Sequence, residues 1–386
     1  MSKTNTDQAV IVEALRTPVG KQNGAFGGTR SDDLGAAVLL GLVERTGIDP
    51  ADIEDVIAGC AVQTNEQGFN IGRGIVLLSG LPITISGTSL NIHCGSGLQS
   101  ICFGYATIAA GFKEVAVGMG AESMTRVPMG SDGAGAVHPD VNERFGIISQ
   151  GQSAELVCEK WDLKREELDA FSLESHRRAI EAIDAGLYER EIVPVTVRDN
   201  GASRVIKVDE TPRRGTSMEK MAKLKPAFKA GGMITAGNSS QISDGAAGAL
   251  IMSRKKAGQY KLTPRARIVS MATVGIDPAI MLTGPIPASR LALERAGLKI
   301  GDMDVIEVNE AFSPVPIVFC RELGIETEKI NRRGGAIGMG HPLGSTGARL
   351  LASALHALED EKGRYGLITL CTAFGQAVAA IIERLG

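Results

Sequence analysis

Between residues 44 and 56 the chain carries a short pattern that returns 250 positions later. Glu44, Arg45, Gly47 and Asp52 are matched by Glu294, Arg295, Gly297 and Asp302, and the apolar Ile48, Ile53 and Val56 by Leu298, Met303 and Ile306. In both copies a helical pattern stops at a glycine and the chain resumes as an apolar strand. Helix, glycine stop and strand recur in many α/β proteins, so the shared order of the later elements matters more. Each copy is expected to continue through a helix and a strand into a glycine-rich corner before a long helix, with Cys94 in the first corner and His341 in the second. The pattern predicts two similar α/β halves whose third strands aim their C-terminal ends at a common crevice, where open α/β sheets place their chemistry.

Hydrophobic spacing supplies the elements. Strands are expected over 9–13, 53–58, 88–92, 305–308 and 367–370, and helices over 32–46, 71–79, 165–185, from Cys94 toward Gly111 and from Ser345 onward. The segment 124–250 has a different texture: a glycine-dense loop over 130–135, charged helices, and a basic stretch over 213–229. It reads as an insertion, giving an N-terminal half over 1–123, an inserted domain over 124–250 and a C-terminal half over 251–386.

Charge and composition exclude several classes of function. With 41 basic and 44 acidic residues the formal charge is −3, and no basic arm is present, which argues against a nucleic-acid partner. Residues 1–8 are polar, without an apolar signal core, and no run is long enough to span a membrane, so a soluble, cytoplasmic protein is expected. The six cysteines form no CxxC pair and no metal-ligand cluster with the five histidines, so no metal site is expected. Glycine is abundant, at 48 of 386 residues, which suits backbones packed closely at strand-to-helix corners.

Four residues at expected strand ends carry the chemistry. Cys94, in NIHCGSGLQ (91–99), follows a strand and begins a helix, where unpaired backbone N–H groups favour a thiolate; a buried corner cysteine is the competing reading. His341 sits in GGAIGMGHPLGSTG (334–347). The glycines of that stretch space as GxGxxxG, unlike a dinucleotide fingerprint, and a base for a thiol fits the histidine better than a phosphate-binding corner does. Asn309, in NEAF, and Cys371, in CTAFG, end two further strands. For each of these alone a packing or turn role competes with catalysis.

With those motifs in hand, the chain resembles the thiolases, the acyl-CoA acetyltransferase family, over nearly its whole length. The resemblance is carried by EALRTPVG (13–20), the Cys94 segment, ESM (122–124), GNSSQISDG (237–245), NEAF (309–312), GHP (340–342) and Cys371. It implies a thiolase fold: α/β, with two pseudo-symmetric five-layered αβαβα halves, an inserted loop domain that binds coenzyme A, and assembly as a homo-oligomer, dimer or tetramer. It makes Cys94 the acylated nucleophile, His341 its activator and Cys371 the acid/base at the substrate carbon or the CoA sulfur. Asn309 would orient a water that forms one oxyanion hole with His341, and the N–H groups of Cys94 and Ala373 would form another. In the coenzyme A site, Ser240 would touch the pantetheine arm and Arg213 a phosphate or the adenine end, while Met221, Leu224, Ala227 and Phe228 would line the groove. Coenzyme A is a substrate in this scheme and no permanently bound cofactor is implied.

Two departures bear on substrate. The family usually has two glycines after Cys371-Thr372, where this chain has Ala373 and Phe374, and short-chain members share a His-Met pair where this chain has Ser149 and Gln150. The missing pair favours 3-oxoacyl-CoA thiolase activity on fatty-acyl or steroid side-chain substrates over the biosynthetic condensation of two acetyl-CoA, while Phe374 either narrows the pocket or serves as an apolar wall in it. A non-catalytic CoA-ester carrier is disfavoured by the retained cysteines and histidine, and a decarboxylating ketosynthase by Cys371, where that family has histidine or asparagine.

Overall fold

The computed structural model describes residues 9–133, 137–199 and 202–386. The polar segment 1–8 and residues 134–135 of the glycine-dense loop lie outside the described residues. Two mixed sheets meet at a single bridge, Ile11 to Ala266. In the first half the strand order is Ser86–Leu90, Asp55–Gly59, Val115–Ser123, Ser243–Ser253, Ala9–Arg16, with Ser243–Ser253 antiparallel to both its neighbours. In the second half it is Val305–Val308, Tyr365–Thr372, Gln376–Arg384, Ala266–Gly275, with Gln376–Arg384 antiparallel to both its neighbours. The two orders match strand for strand except at one edge.

That edge corrects the expectation of a third strand in each half. Ser86–Leu90 fills the position in the first half, but the second has only an isolated bridge between Ile330 and Ile306. The next residue, Asn331, explains the loss. Its side-chain amide accepts from Val308 N and donates to Val308 O, both at 2.8 Å, so one side chain satisfies the edge that a strand would otherwise cover.

The two halves together build five layers around three apolar cores, the middle one enclosing the central helices. Helices Ser31–Thr46 and Ile71–Leu78 cover the outer face of the first sheet through residues such as Leu34, Val38, Leu42 and Ile75. Helices Pro285–Ala296 and Pro314–Leu323 cover the outer face of the second. Between the sheets lie Ser96–Ala109 and Leu343–Asp360, the latter buried on every face from Leu343 to Leu358. Small residues let these two helices cross closely. A Cβ on Gly97 would fall 2.6 Å from Gly344 O, and one on Gly347 would fall 2.5 Å from Leu98 N. Their N-terminal ends, which carry Cys94 and His341, are thereby brought together.

The segment 124–250 contributes helices Gln150–Lys160 and Arg165–Asp184 and the hairpin Val195–Asp199 with Ala202–Ile206. The boundary expected between 250 and 251 falls inside the Ser243–Ser253 strand, which is part of the first sheet. No helix among the described residues is long and apolar enough to cross a membrane.

Candidate active site

Cys94 occupies a tight turn, His93–Gly95, that feeds directly into the Ser96–Ala109 helix. Gly95 is required there, since a Cβ would stand 2.8 Å from the Val378 side chain and 2.9 Å from that of Thr372. The turn ends Cys94 against a cavity of about 350 Å³ that Ala373 and Phe374 line from the Cys371 hairpin, with Phe228, Met281, Phe312 and Leu343 among its other walls. Cys94 and Cys371 are both buried, and close enough that charge on the first opposes ionisation of the second.

The thiol at this corner is not the activated thiolate that the helix start alone suggests. Burial pushes Cys94 up to about 12, reinforced by the charge of Glu122 and opposed by a hydrogen bond from Gln150 and by its own backbone N–H. Desolvation outweighs the helix end here, so Cys94 rests as a thiol and ionises only if a neighbour accepts its proton. Burial raises the Cys371 thiol as well.

His341 is in the state that a proton acceptor needs. Thr346 Oγ1 donates to Pro342 O at 2.8 Å and lies 2.7 Å from His341 Nδ1, so the Nδ1–H must be the donor in that pair. Burial, aided by the positive Arg349, drives the imidazole down to about 3, which keeps it neutral and leaves Nε2 with a lone pair. Asn309 Nδ2 sits 3.3 Å from Nε2, a donor facing an acceptor. Asn309 Oδ1, buried, has no partner among the described residues, an acceptor able to hold a water beside the imidazole. The His341 backbone is fixed by Ser243 Oγ at 2.7 Å and Gln241 O at 3.1 Å.

Two buried carboxylates hold these corners. Glu122 accepts from Ala61 N, Gly344 N and Gln67 Nε2 at 2.7, 2.8 and 2.7 Å, joining the first sheet to the start of the His341 helix, where negative charge is favoured. Glu310 accepts from Ser175 Oγ, Asn331 Nδ2 and Ile337 N. Burial raises both carboxyls while these donors oppose it.

The residues expected at the coenzyme A site divide. Arg213, Met221 and Leu224 line a second cavity, of about 280 Å³, with Lys220, His176 and Ser239. Phe228 lies instead in the Cys94 cavity, edge-on to Phe312 at 5.8 Å. Ala227 and Ser240 line neither cavity, and their N–H groups donate to Ile234 O and Ala311 O. Gln241 connects the two regions: its carbonyl accepts from His341 N while its Oε1 accepts from Arg213 Nε at 3.3 Å. The sequence reading missed Gln150, Ser243, Thr346 and His93. Only Thr346 had a usable signal, a hydroxyl five residues beyond a histidine at the start of a helix.

Buried thiol, neutral imidazole, amide and second thiol form a set suited to acyl transfer through a thioester. Residues 9–255 match the family model described as thiolase, N-terminal domain, and residues 262–384 that of thiolase, C-terminal domain. The chain is 44% identical to a steroid 3-ketoacyl-CoA thiolase of Mycobacterium tuberculosis, over 98% of this chain and 94% of the relative. It is 43% identical to a beta-ketoadipyl-CoA thiolase of Escherichia coli, over 98% and 100%, and 43% identical to a 3-ketoacyl-CoA thiolase of Psychrobacter cryohalolentis, over the full length of both. The crystal structure of the Bacillus anthracis acetyl-CoA acetyltransferase superposes with a TM-score of 0.91 at 36% identity, covering 98% of this chain and 99% of that one.

Proposed function

The chain belongs to the thiolase family, and from that premise we propose that it is a degradative 3-oxoacyl-CoA thiolase working through an acyl-Cys94. His341 Nε2 takes the Cys94 proton as the sulfur attacks the 3-oxo carbon. The bond between C2 and C3 breaks, its electron pair goes to C2, and Cys371 gives C2 a proton, so acetyl-CoA leaves. Coenzyme A then loses its thiol proton to Cys371 and attacks the acyl-cysteine, releasing the shortened acyl-CoA and returning Cys94 to a thiol through His341. A carbonyl oxygen that turns negative would be held by the N–H groups of Cys94 and Ala373, or by His341 and a water on Asn309.

The observation that carries this reading is the imidazole fixed in one tautomer by Thr346 and Asn309, with Nε2 as its proton-accepting nitrogen. Thiol and imidazole supply nucleophile and base, so the reaction needs no resident cofactor, and coenzyme A enters as substrate. The cavity containing Arg213, Lys220, Met221 and Leu224 supports a coenzyme A groove in the 124–250 insertion, with cations for phosphates and apolar walls for the pantetheine arm. Assembly as a dimer or tetramer is supported by the free edge of Ser86–Leu90 and by Phe69, Ile83 and Phe112, exposed at 107%, 76% and 82%; unpaired strand edges and exposed apolar patches favour association. A cytoplasmic location accords with six unpaired cysteines.

Steady-state thiolysis of acetoacetyl-CoA and of longer 3-oxoacyl-CoA esters, with the Cys94→Ser variant alongside, tests the reading. Turnover should require coenzyme A and vanish in the variant. If wild-type protein cleaves none of the esters, the proposal fails.

A further inference from the structure

The thiolase names among the relatives cover two kinds of acyl arm, a steroid-derived one and one, as in beta-ketoadipyl-CoA, that ends in a carboxylate. The Cys94 cavity distinguishes them. Its walls are mostly apolar, with Met129, Ile147, Ile148, Phe312 and Leu343 contributing, and among the described residues neither lysine nor arginine lines it. Its charged lining group is Asp132, exposed to solvent. The cations lie in the other cavity, as Arg213 and Lys220.

The uncharged polar side chains in the lining are Ser149, Gln150 and His93, the last stacked on Phe374 with ring centroids 5.8 Å apart and planes 13° apart. Burial lowers the His93 pKa, against a smaller opposing effect of Asp132, so the ring is a flat neutral surface at neutral pH. An anionic chain end entering this space would lose water without gaining a cation, which is costly, and would meet like charge at Asp132.

We propose that the acyl arm taken by this site is neutral and apolar, packed along the His93–Phe374 wall, and that Asp132 together with the cation-free cavity excludes acyl arms ending in a carboxylate. The inference rests on the thiolase reading and narrows its substrate class.

The test compares kcat/KM of the full-length enzyme for 3-oxoheptanoyl-CoA and for 3-oxoadipyl-CoA, which have similar length and differ in end charge, with acetoacetyl-CoA as reference. The neutral ester should be preferred by roughly 100-fold or more, the scale on which a pocket rejects a polar group it cannot pair. In Asp132→Lys the preference should shrink at least about tenfold, since a cation then faces the carboxylate. The ratio of two esters in one preparation is insensitive to partial unfolding of the variant. Equal use of both esters by the wild type, or an unchanged ratio in Asp132→Lys, would overturn the proposal while leaving the thiolase reading intact. Failure to cleave acetoacetyl-CoA as well would instead overturn that reading, and this one with it.

Discussion

The rings of His93 and Phe374 stack almost in parallel in the wall of the Cys94 cavity, and each is carried on a backbone in the left-handed region, with φ of 50° and 62°. Such a conformation costs a residue with a Cβ about 1–2 kcal/mol. Two strained neighbours in contact, one preceding Cys94 and the other three residues after Cys371, are a wall maintained at the expense of stability.

Phe374→Gly removes the strain and the wall together. Stability should hold or rise by up to about 1 kcal/mol, because relief at positive φ offsets the lost contacts of a ring that is 39% exposed. If a chain buries about 50 Å² against the ring, the ring contributes about 1.3 kcal/mol to its binding. Accordingly kcat/KM for long or polycyclic 3-oxoacyl-CoA esters should fall about tenfold relative to acetoacetyl-CoA. Chemical denaturation and a chain-length series check both parts. Improved use of bulky esters would make Phe374 a gate rather than a wall.

Alkylation of Cys94 reports the state of the thiol. Burial places it at about 12, above its ordinary value, so below that pH the thiolate fraction grows with pH. The iodoacetamide rate at Cys94, followed by mass spectrometry, should climb from pH 7 to 10 without levelling, and acyl-CoA should protect the residue. A plateau near pH 7 would mean that the helix end outweighs desolvation after all.

Much of this site could be read from the chain before any coordinates. Cys94, Asn309, His341 and Cys371 are each marked by local sequence, a strand followed by a glycine corner or a short polar motif, and local sequence fixes strand ends. The spread of Phe228 into the Cys94 cavity could not be read that way, because it depends on packing against Phe312, 84 positions away in the chain. Nor could the loss of the edge strand to the Asn331 side chain, whose pattern of residues still allows a strand. The state of the thiol is hidden from the sequence for a related reason: a helix start is visible there, whereas burial of the corner depends on the close crossing of two helices at Gly97, Gly344 and Gly347.

Separate roles for the two active-site thiols predict separable half-reactions. Cys371→Ser keeps the proposed nucleophile and weakens the proton carrier, so some acylation of Cys94 from acyl-CoA should survive while turnover falls by about 10²–10⁴, the range for acid/base groups. Cys94→Ser should lose both. Acyl-enzyme mass and steady-state rate, measured on the same preparations, distinguish the cases, and full turnover in Cys371→Ser would remove Cys371 from the mechanism.

Thr346 is the least conspicuous member of the site and offers the sharpest test of the tautomer. In Thr346→Val the shape is nearly kept, but His341 Nδ1–H loses the oxygen now 2.7 Å away. A buried donor without an acceptor costs about 1–3 kcal/mol, which the ring can avoid by moving its proton to Nε2. That move would remove the Nε2 lone pair proposed to accept the thiol proton. Acylation should then slow by roughly 10–100-fold, the kinetic equivalent of about 1.4–2.7 kcal/mol, with KM for the CoA ester little changed because Thr346 lies outside both cavities. Thr346→Ser retains an oxygen and should recover most of the rate. Pre-steady-state acylation rates for the two variants decide the matter: equal rates in valine and serine would mean that Nδ1 does not govern the tautomer, and that the base must be sought elsewhere.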